Sequence, residues 1–357
     1  MLFDPRPKSS KKDLFDFDRE LNELIKYLDE PLTVVSGLRR TGKTSLILTA
    51  LNESKRFFLY VDLREGASSA KSLYQLLSRS LSDFSKKLQK KDTKNLFSRI
   101  ITKVRGVSLM GVEIQINWSP RKRPLISELF NALDELAEKL NTKLVIVLDE
   151  FQHSRTGYGL QLQNAVAHSY DFNKNLSFVL SGSQIGLLNE VLGNPKNPLY
   201  GRAYIEVKTR KLLPEESIEF LTKGFTEANI NIDKNELENV VSKLNGIIGW
   251  LTYYGYLKLK GKTSLDDVLK EAVTLARSEL ESFLSTRLSK RYKIIMRLLS
   301  HDITDWTSLK RELEKSEGRE VSDRALYEIL QQLKKHSIID ENNKFTDPIN
   351  KKAAEEF

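Results

Sequence analysis

Apolar positions along this chain follow two different periods. At residues 32–36, 57–62, 144–149, 178–181 and 203–207, short runs of β-branched and aromatic residues recur between stretches whose apolar positions lie three and four apart. A run that is apolar at successive positions suits a strand covered on both faces. Its alternation with amphipathic helices therefore predicts an α/β fold, a parallel sheet with helices on both faces, over residues 1–210. Residues 107–118 break the pattern. There Val112, Ile114 and Ile116 alternate with Glu113, Gln115 and Asn117 behind Met110 and Gly111, which predicts an inserted hairpin.

After Leu213 and Pro214 the period is helical only, in 217–225, 237–244 and 268–283, which predicts a separate helical domain over 211–286. Residues 287–357 then read as three helices, at 290–299, 306–313 and 323–335, with Ser322 as the N-cap of the last. Ile338 and Ile339, a turn at 340–343 and the run 344–346 predict a small hairpin behind them. Three helices followed by a hairpin is the order of a winged helix.

Composition excludes more than it assigns. With 40% hydrophobic and 29% charged residues among 357, the chain is of the globular class. No apolar run approaches a membrane span and the first residues lack the apolar centre of a secretory signal, so the expectation is a cytoplasmic protein with no membrane partner. The absence of cysteine removes disulfides, thiol nucleophiles and thiolate metal sites, and the four histidines show no HExxH pairing. The formal net charge is +9, and its location is more informative than its size. Between Lys86 and Arg123 eleven basic residues face only Asp92 and Glu113. This basic insertion, residues 86–123, is either a solvated face or a contact for nucleic acid or an acidic protein.

The chemistry lies behind the first strand. Gly37-Leu38-Arg39-Arg40-Thr41-Gly42-Lys43-Thr44-Ser45 is a complete GxxxxGK[ST] loop opening a helix. Its glycines let the backbone curl so that successive N–H groups and the helix N-terminus face a phosphate. Residues 37 and 39–45 are thus candidates for nucleotide binding, with Lys43 reaching the β- and γ-phosphates and Thr44 offering its hydroxyl to Mg²⁺. The third apolar run ends in Asp149 and Glu150, the first suited to hold Mg²⁺ together with Thr44 and the second to polarise the attacking water. Ser181 and Ser183 close the fourth run, where either can meet the water or the γ-phosphate or serve as a helix cap. Arg202, ahead of the last run, either neutralises γ-phosphate charge or pairs on the surface with Glu206 or Asp149.

These residues resemble the archaeal ATPase family, P-loop ATPases related to the AAA+ and STAND groups. Phe17-Asp18-Arg19-Glu20-Leu21 is similar to the family's opening signature, and Arg39-Arg40 to the pair in its phosphate loop. Ser181-Gly182-Ser183 resembles its sensor, and Leu199-Tyr200-Gly201-Arg202 its Gly-Arg box. Asn245-Gly246-Ile247-Ile248-Gly249-Trp250-Leu251 resembles a Gly-Gly-x-Pro-x-x-Leu turn, with Asn245 and Ile248 in place of a Gly and the Pro. Phe345-Thr346-Asp347-Pro348 is similar to an Asp-Pro box after the wing.

The resemblance implies a P-loop NTPase domain followed by a helical lid and a winged helix, with Mg²⁺ and ATP or ADP as ligands. It also implies Pro214 against the adenine and Arg202 as a γ-phosphate arginine, in its own or a neighbouring subunit. The expected activity is Mg²⁺-dependent ATP hydrolysis coupled to movement of lid and winged helix, in a molecular switch or a DNA-associated ATPase. The alternative is a nucleotide-gated DNA-binding regulator with negligible hydrolysis.

On the third winged-helix helix, Arg324, Tyr327, Gln331, Lys334 and Lys335 form the expected contact with double-stranded DNA. From Arg287 onward, however, fifteen basic residues meet thirteen acidic ones, which keeps open a protein contact, self-association or control of the lid.

Overall fold

Five parallel strands centre the computed structural model, which describes residues 1–261, 264–287 and 289–357. They are β1 (Leu32–Ser36), β2 (Phe57–Asp62), β5 (Leu144–Asp149), β6 (Leu176–Gly182) and β7 (Ile205–Lys208), in the order β2-β5-β6-β1-β7. Every residue of β1, β5 and β6 is buried, as their apolar runs require. Side chains alternate between faces. Val35, Val145, Val147 and Val179 join one apolar cluster, while Val34, Ile146, Leu148, Phe178 and Leu180 join the other.

Helices α1 (Asp18–Tyr27) and α2 (Lys43–Glu53) belong to the first cluster. Helices α3 (Ala70–Lys87), α4 (Lys91–Ile101), α5 (Ile126–Lys139), α6 (Gly159–Phe172) and α7 (Ile185–Gly193) belong to the second. The insertion folds as α4 and the antiparallel hairpin of β3 (Val107–Met110) and β4 (Glu113–Ile116). The last strand of the sheet begins two residues later than its apolar run. Pairing with β1 spans Thr33↔Ile205 to Ser36↔Lys208, and the Ala203 carbonyl instead accepts from the Tyr170 hydroxyl.

The first cluster continues without a break through the helical half, α8 (Pro214–Glu227), α9 (Lys234–Leu244), α10 (Ile248–Leu259) and α11 (Leu265–Ser285). The chain's first residues enter it as well. Phe3 packs edge-on against Phe220 and Phe225, with centroids 5.7 and 4.8 Å away.

The tail forms α12 (Arg291–Ser300), α13 (Trp306–Glu317) and α14 (Asp323–Lys335), and Ser322 caps α14 by accepting from the Ala325 N–H. The expected hairpin contracts to a single bridge, Ile339↔Phe345. It cannot lengthen because Asp347 already caps a further helix, α15 (Pro348–Glu355), which packs on α11 and α12. Among the described residues no helix is long and apolar enough to cross a membrane.

Candidate nucleotide site

The carboxyl ends of β1, β5 and β6 meet at the loop that leads into α2. There is no room for a side chain at Gly37, where a Cβ would lie 2.0 Å from Thr209 Oγ1 and 3.0 Å from its carbonyl oxygen. Gly37→Ala is accordingly expected to destabilise the fold by about 1–3 kcal/mol, a loss that calorimetry would register as a lowered thermal midpoint. Gly42 sits at the N-cap of α2 with φ +88°, a left-handed value that glycine adopts without cost.

Lys43, the first residue of α2, is buried and donates from Nζ to the carbonyls of Gly37 (3.0 Å) and Leu38 (2.8 Å). Burial lowers its ammonium to about 8, against the opposing pull of Glu150 and Asp149. Thr44 Oγ1 donates to Asp149 Oδ2 at 3.3 Å, and Asp149 accepts in addition from the Tyr60 and Ser181 hydroxyls. Glu150 follows in the left-handed region at φ +53°, which turns its side chain away from the strand direction. Its Oε2 accepts from Gln152 Nε2 (2.5 Å), Ser183 Oγ (2.8 Å) and Ser183 N (3.2 Å). Burial pushes the Glu150 carboxyl up, but Lys43 and these donors outweigh it, and the group stays below the usual carboxylate range.

These groups open into a cavity of about 1000 Å³. Lys43, Thr44, Ser45, Glu150 and Ser183 line its floor, and Phe15, Phe17, Phe220, Ile248 and Tyr253 line an apolar wall. One rim is the N-terminal segment Asp4–Lys8, pinned where the Lys8 N–H donates to Ser45 Oγ at 3.0 Å. The rim beside the tail carries Arg287 and His336, joined at 2.9 Å between Nη2 and Nε2. Burial, followed by the nearby Arg287 charge, lowers His336 to about 4.

Several sequence expectations fall elsewhere. Arg202 lies ahead of β7, at the opposite end of the sheet from the loop, where it pairs with Asp171 and the Pro198 carbonyl rather than with Glu206 or Asp149. The cause is the parallel register, which puts Lys208 rather than residue 202 beside Ser36, so Arg202 cannot reach the phosphates of its own chain. Pro214 is exposed and away from the cavity, as the helix-starting residue of α8. Thr41 is buried against Thr209 Oγ1 (2.6 Å) and bonds the Leu38 carbonyl, so its side chain braces the loop from behind.

Arg39 and Arg40 line the cavity but pair with Glu279 of α11, and the Arg40 guanidinium stacks 4.0 Å from the Trp250 ring centre. On α14, Lys335 pairs with Glu190 of α7, and Lys334 donates to the Glu341 carbonyl. Both are committed within the molecule, Lys335 because the end of α14 packs on α7 and Lys334 because the turn at Glu341 folds back on α14. Arg324 and Tyr327 remain exposed, the former paired with Glu328, and Gln331 is half-buried. Ser183 does not cap α7, whose N-cap is Gln184. Sequence reasoning missed Gln152, Arg287 and His336, since they reach the site only through the packing of loops and tail. Gln152 alone carried a signal, its place two residues after Glu150.

A sequence model described as an ATPase domain predominantly from Archaea matches residues 14–253. The chain belongs to this archaeal ATPase family. Its members are P-loop ATPases, and the phosphate loop, the parallel sheet and the Asp149–Glu150 pair are the parts of that fold in this chain. A second model, the MCM protein C-terminal winged helix-turn-helix domain, matches residues 286–345. Among solved structures, the Walker-type ATPase of Pyrococcus abyssi is 32% identical, with 99% of each chain covered and a TM-score of 0.82.

The Aeropyrum pernix Orc1 protein, solved in complex with DNA, is 14% identical over 96% of this chain and 93% of its own, with a TM-score of 0.46. Cdc6p from Pyrobaculum aerophilum is 12% identical over 99% and 96%, with a TM-score of 0.47. No curated protein matches the chain.

Proposed function

We propose that this ATPase is a molecular switch, in which Mg²⁺-dependent ATP hydrolysis between the phosphate loop and Glu150 sets whether the winged helix stays docked. The supporting observation is how little chain separates the two. Ser183 holds Glu150, and two residues later the Ile185 N–H donates to Ser337 Oγ of the winged-helix segment at 2.9 Å. A second route leads from the loop through Arg40 to Trp250, whose Nε1 donates to the buried Asp347 at 2.8 Å.

Thr44 and Asp149, a hydroxyl beside a carboxylate 3.3 Å away, fit the small oxygen-ligand set that Mg²⁺ takes with phosphate and water completing its shell. Bound there, the ion supplies neutralisation of charge on the β- and γ-phosphate oxygens. Lys43 leaves the Gly37 and Leu38 carbonyls for the phosphates, and Glu150 orients the attacking water and accepts its proton. Ser183 is then free to follow the γ-phosphate, which moves the Gln184–Ile185 backbone under Ser337. The arginine that neutralises the γ-phosphate comes from the cavity rim or from a neighbouring subunit, whose Arg202 lies on an outer edge.

Ser337→Ala combined with Lys335→Glu removes the Ile185–Ser337 hydrogen bond and the Lys335–Glu190 ion pair, which join α14 and its following turn to α7. We expect steady-state phosphate release to change severalfold and hydrogen exchange along α14 to become insensitive to whether ATP or ADP is bound. Unchanged turnover together with a preserved nucleotide effect on exchange would sink the switch reading.

A further inference from the structure

The insertion between α3 and α5 presents a surface that the nucleotide site does not use. β4 lies along α3, and two serine hydroxyls of that helix cover its inner edge: Ser82 Oγ accepts from the Ile114 N–H at 2.8 Å and Ser78 Oγ from the Ile116 N–H at 3.0 Å. Ile114 and Ile116 are buried underneath. The outward side of the ribbon therefore faces solvent, and its tip is apolar, with Met110 64% and Val112 43% exposed.

Cations flank this ribbon at both ends. At its base the Arg105 guanidinium donates to the Arg121 carbonyl at 2.7 Å, which clusters Arg105, Arg121 and Lys122. Toward the tip, Lys86 lies one helical turn beyond Ser82, followed by Lys90 and Lys91 at the start of α4. Within the insertion Lys86 pairs with Asp83 and Lys103 with Glu135. Among the described residues Lys90, Lys91, Arg105, Arg121 and Lys122 have no carboxylate partner, and all five are exposed. Five exposed, unpaired cations about the ribbon give it a positive field that suits an anionic partner.

We infer that the β3–β4 ribbon and its flanking cations form a duplex-DNA surface, with the ribbon entering a groove and the cations riding on the phosphates beside it. A two-stranded ribbon has the cross-section that the major groove admits. The winged helix is the weaker candidate because Lys334 and Lys335 are already engaged inside the molecule and its charge is nearly balanced. A contact of this kind would bring the ATPase to DNA without displacing α14 from α7.

The test is anisotropy of a labelled duplex of about 30 base pairs, titrated with the full-length protein over a series of salt concentrations. Lys90, Lys91, Arg121 and Lys122, all replaced by Gln, remove four phosphate contacts. The slope of log affinity against log salt is then expected to fall in magnitude by about 3.6, so that the wild type loses roughly 150-fold more affinity than the variant between about 50 and 200 mM salt. Arg324→Ala with Tyr327→Ala should leave the slope where it is, and the quadruple variant should keep wild-type ATP turnover without DNA, which shows that it folds.

An unchanged slope in the quadruple variant, no duplex binding at the lowest salt, or equal competition by a single strand of the same length would each overturn the assignment. None of these outcomes touches the switch reading, which stands or falls on Ser337 and Lys335.

Discussion

Glu150→Gln is expected to abolish phosphate release while ATP remains bound. A positioned general base contributes about 10²–10⁴-fold to turnover, and Glu150 is the carboxylate at this site that Thr44 does not engage. The amide keeps the size of the side chain, and its oxygen still accepts from Ser183, so the loop and the Ser337 contact stay in place. Steady-state phosphate release and calorimetric ATP binding, measured on the same preparation, separate chemistry from affinity. Turnover within about threefold of wild type would remove Glu150 from the mechanism and move the base elsewhere on the cavity wall. Repeating the measurement with duplex DNA shows whether the surface of the insertion communicates with the site.

The second large effect belongs to Lys43. Charge-assisted hydrogen bonds to buried groups are worth about 1.5–3 kcal/mol each, so Lys43→Met should weaken ATP binding by at least about tenfold and remove turnover with it. Its pH dependence carries a definite sign. Burial lowers the empty-site ammonium to about 8, so below that pH Lys43 is already charged for the phosphates, and above it a proton must be taken up on binding. ATP affinity in the wild type should therefore fall as pH rises through about 8, with proton uptake visible as a dependence of the calorimetric heat on buffer. In Lys43→Met that pH slope should disappear. A wild-type affinity flat between pH 7 and 9 would show that the phosphates do not depend on this charge.

Much of this architecture was open to sequence reasoning because its signals are local. The sheet announces itself in runs such as Leu144–Asp149, since a strand covered on both faces has no place for polar residues before its end. The inserted hairpin follows from strict alternation, and α14 from a cap and an amphipathic stripe. Asn245, the C-cap of α9, takes a left-handed conformation at φ +49°, which asparagine tolerates. The wing was less readable. Its apolar residues suit a hairpin, but Asp347 and Pro348 start α15 so soon that only one bridge forms.

Arg202 and Pro214 show where local reading fails. Each sits in a suggestive motif, but the end of the sheet on which a residue emerges depends on strand register, and whether a proline meets a base depends on the angle at which a helix leaves the sheet.

By itself, the sequence determined the class of fold, the phosphate loop and the acidic end of β5, because backbone curl, burial and strand period are properties of consecutive residues. It also determined that positive charge gathers in residues 86–123, since charge is simply counted. Only the tertiary structure decided which groups share the cavity, that Gln152 and Ser183 restrain Glu150, and that Arg40 turns to Glu279 and Trp250. It alone docked α14 on α7 and put His336 beside the nucleotide cavity. Those arrangements join residues up to about three hundred positions apart, and they are set by how helices pack on a twisted sheet, which no local pattern encodes.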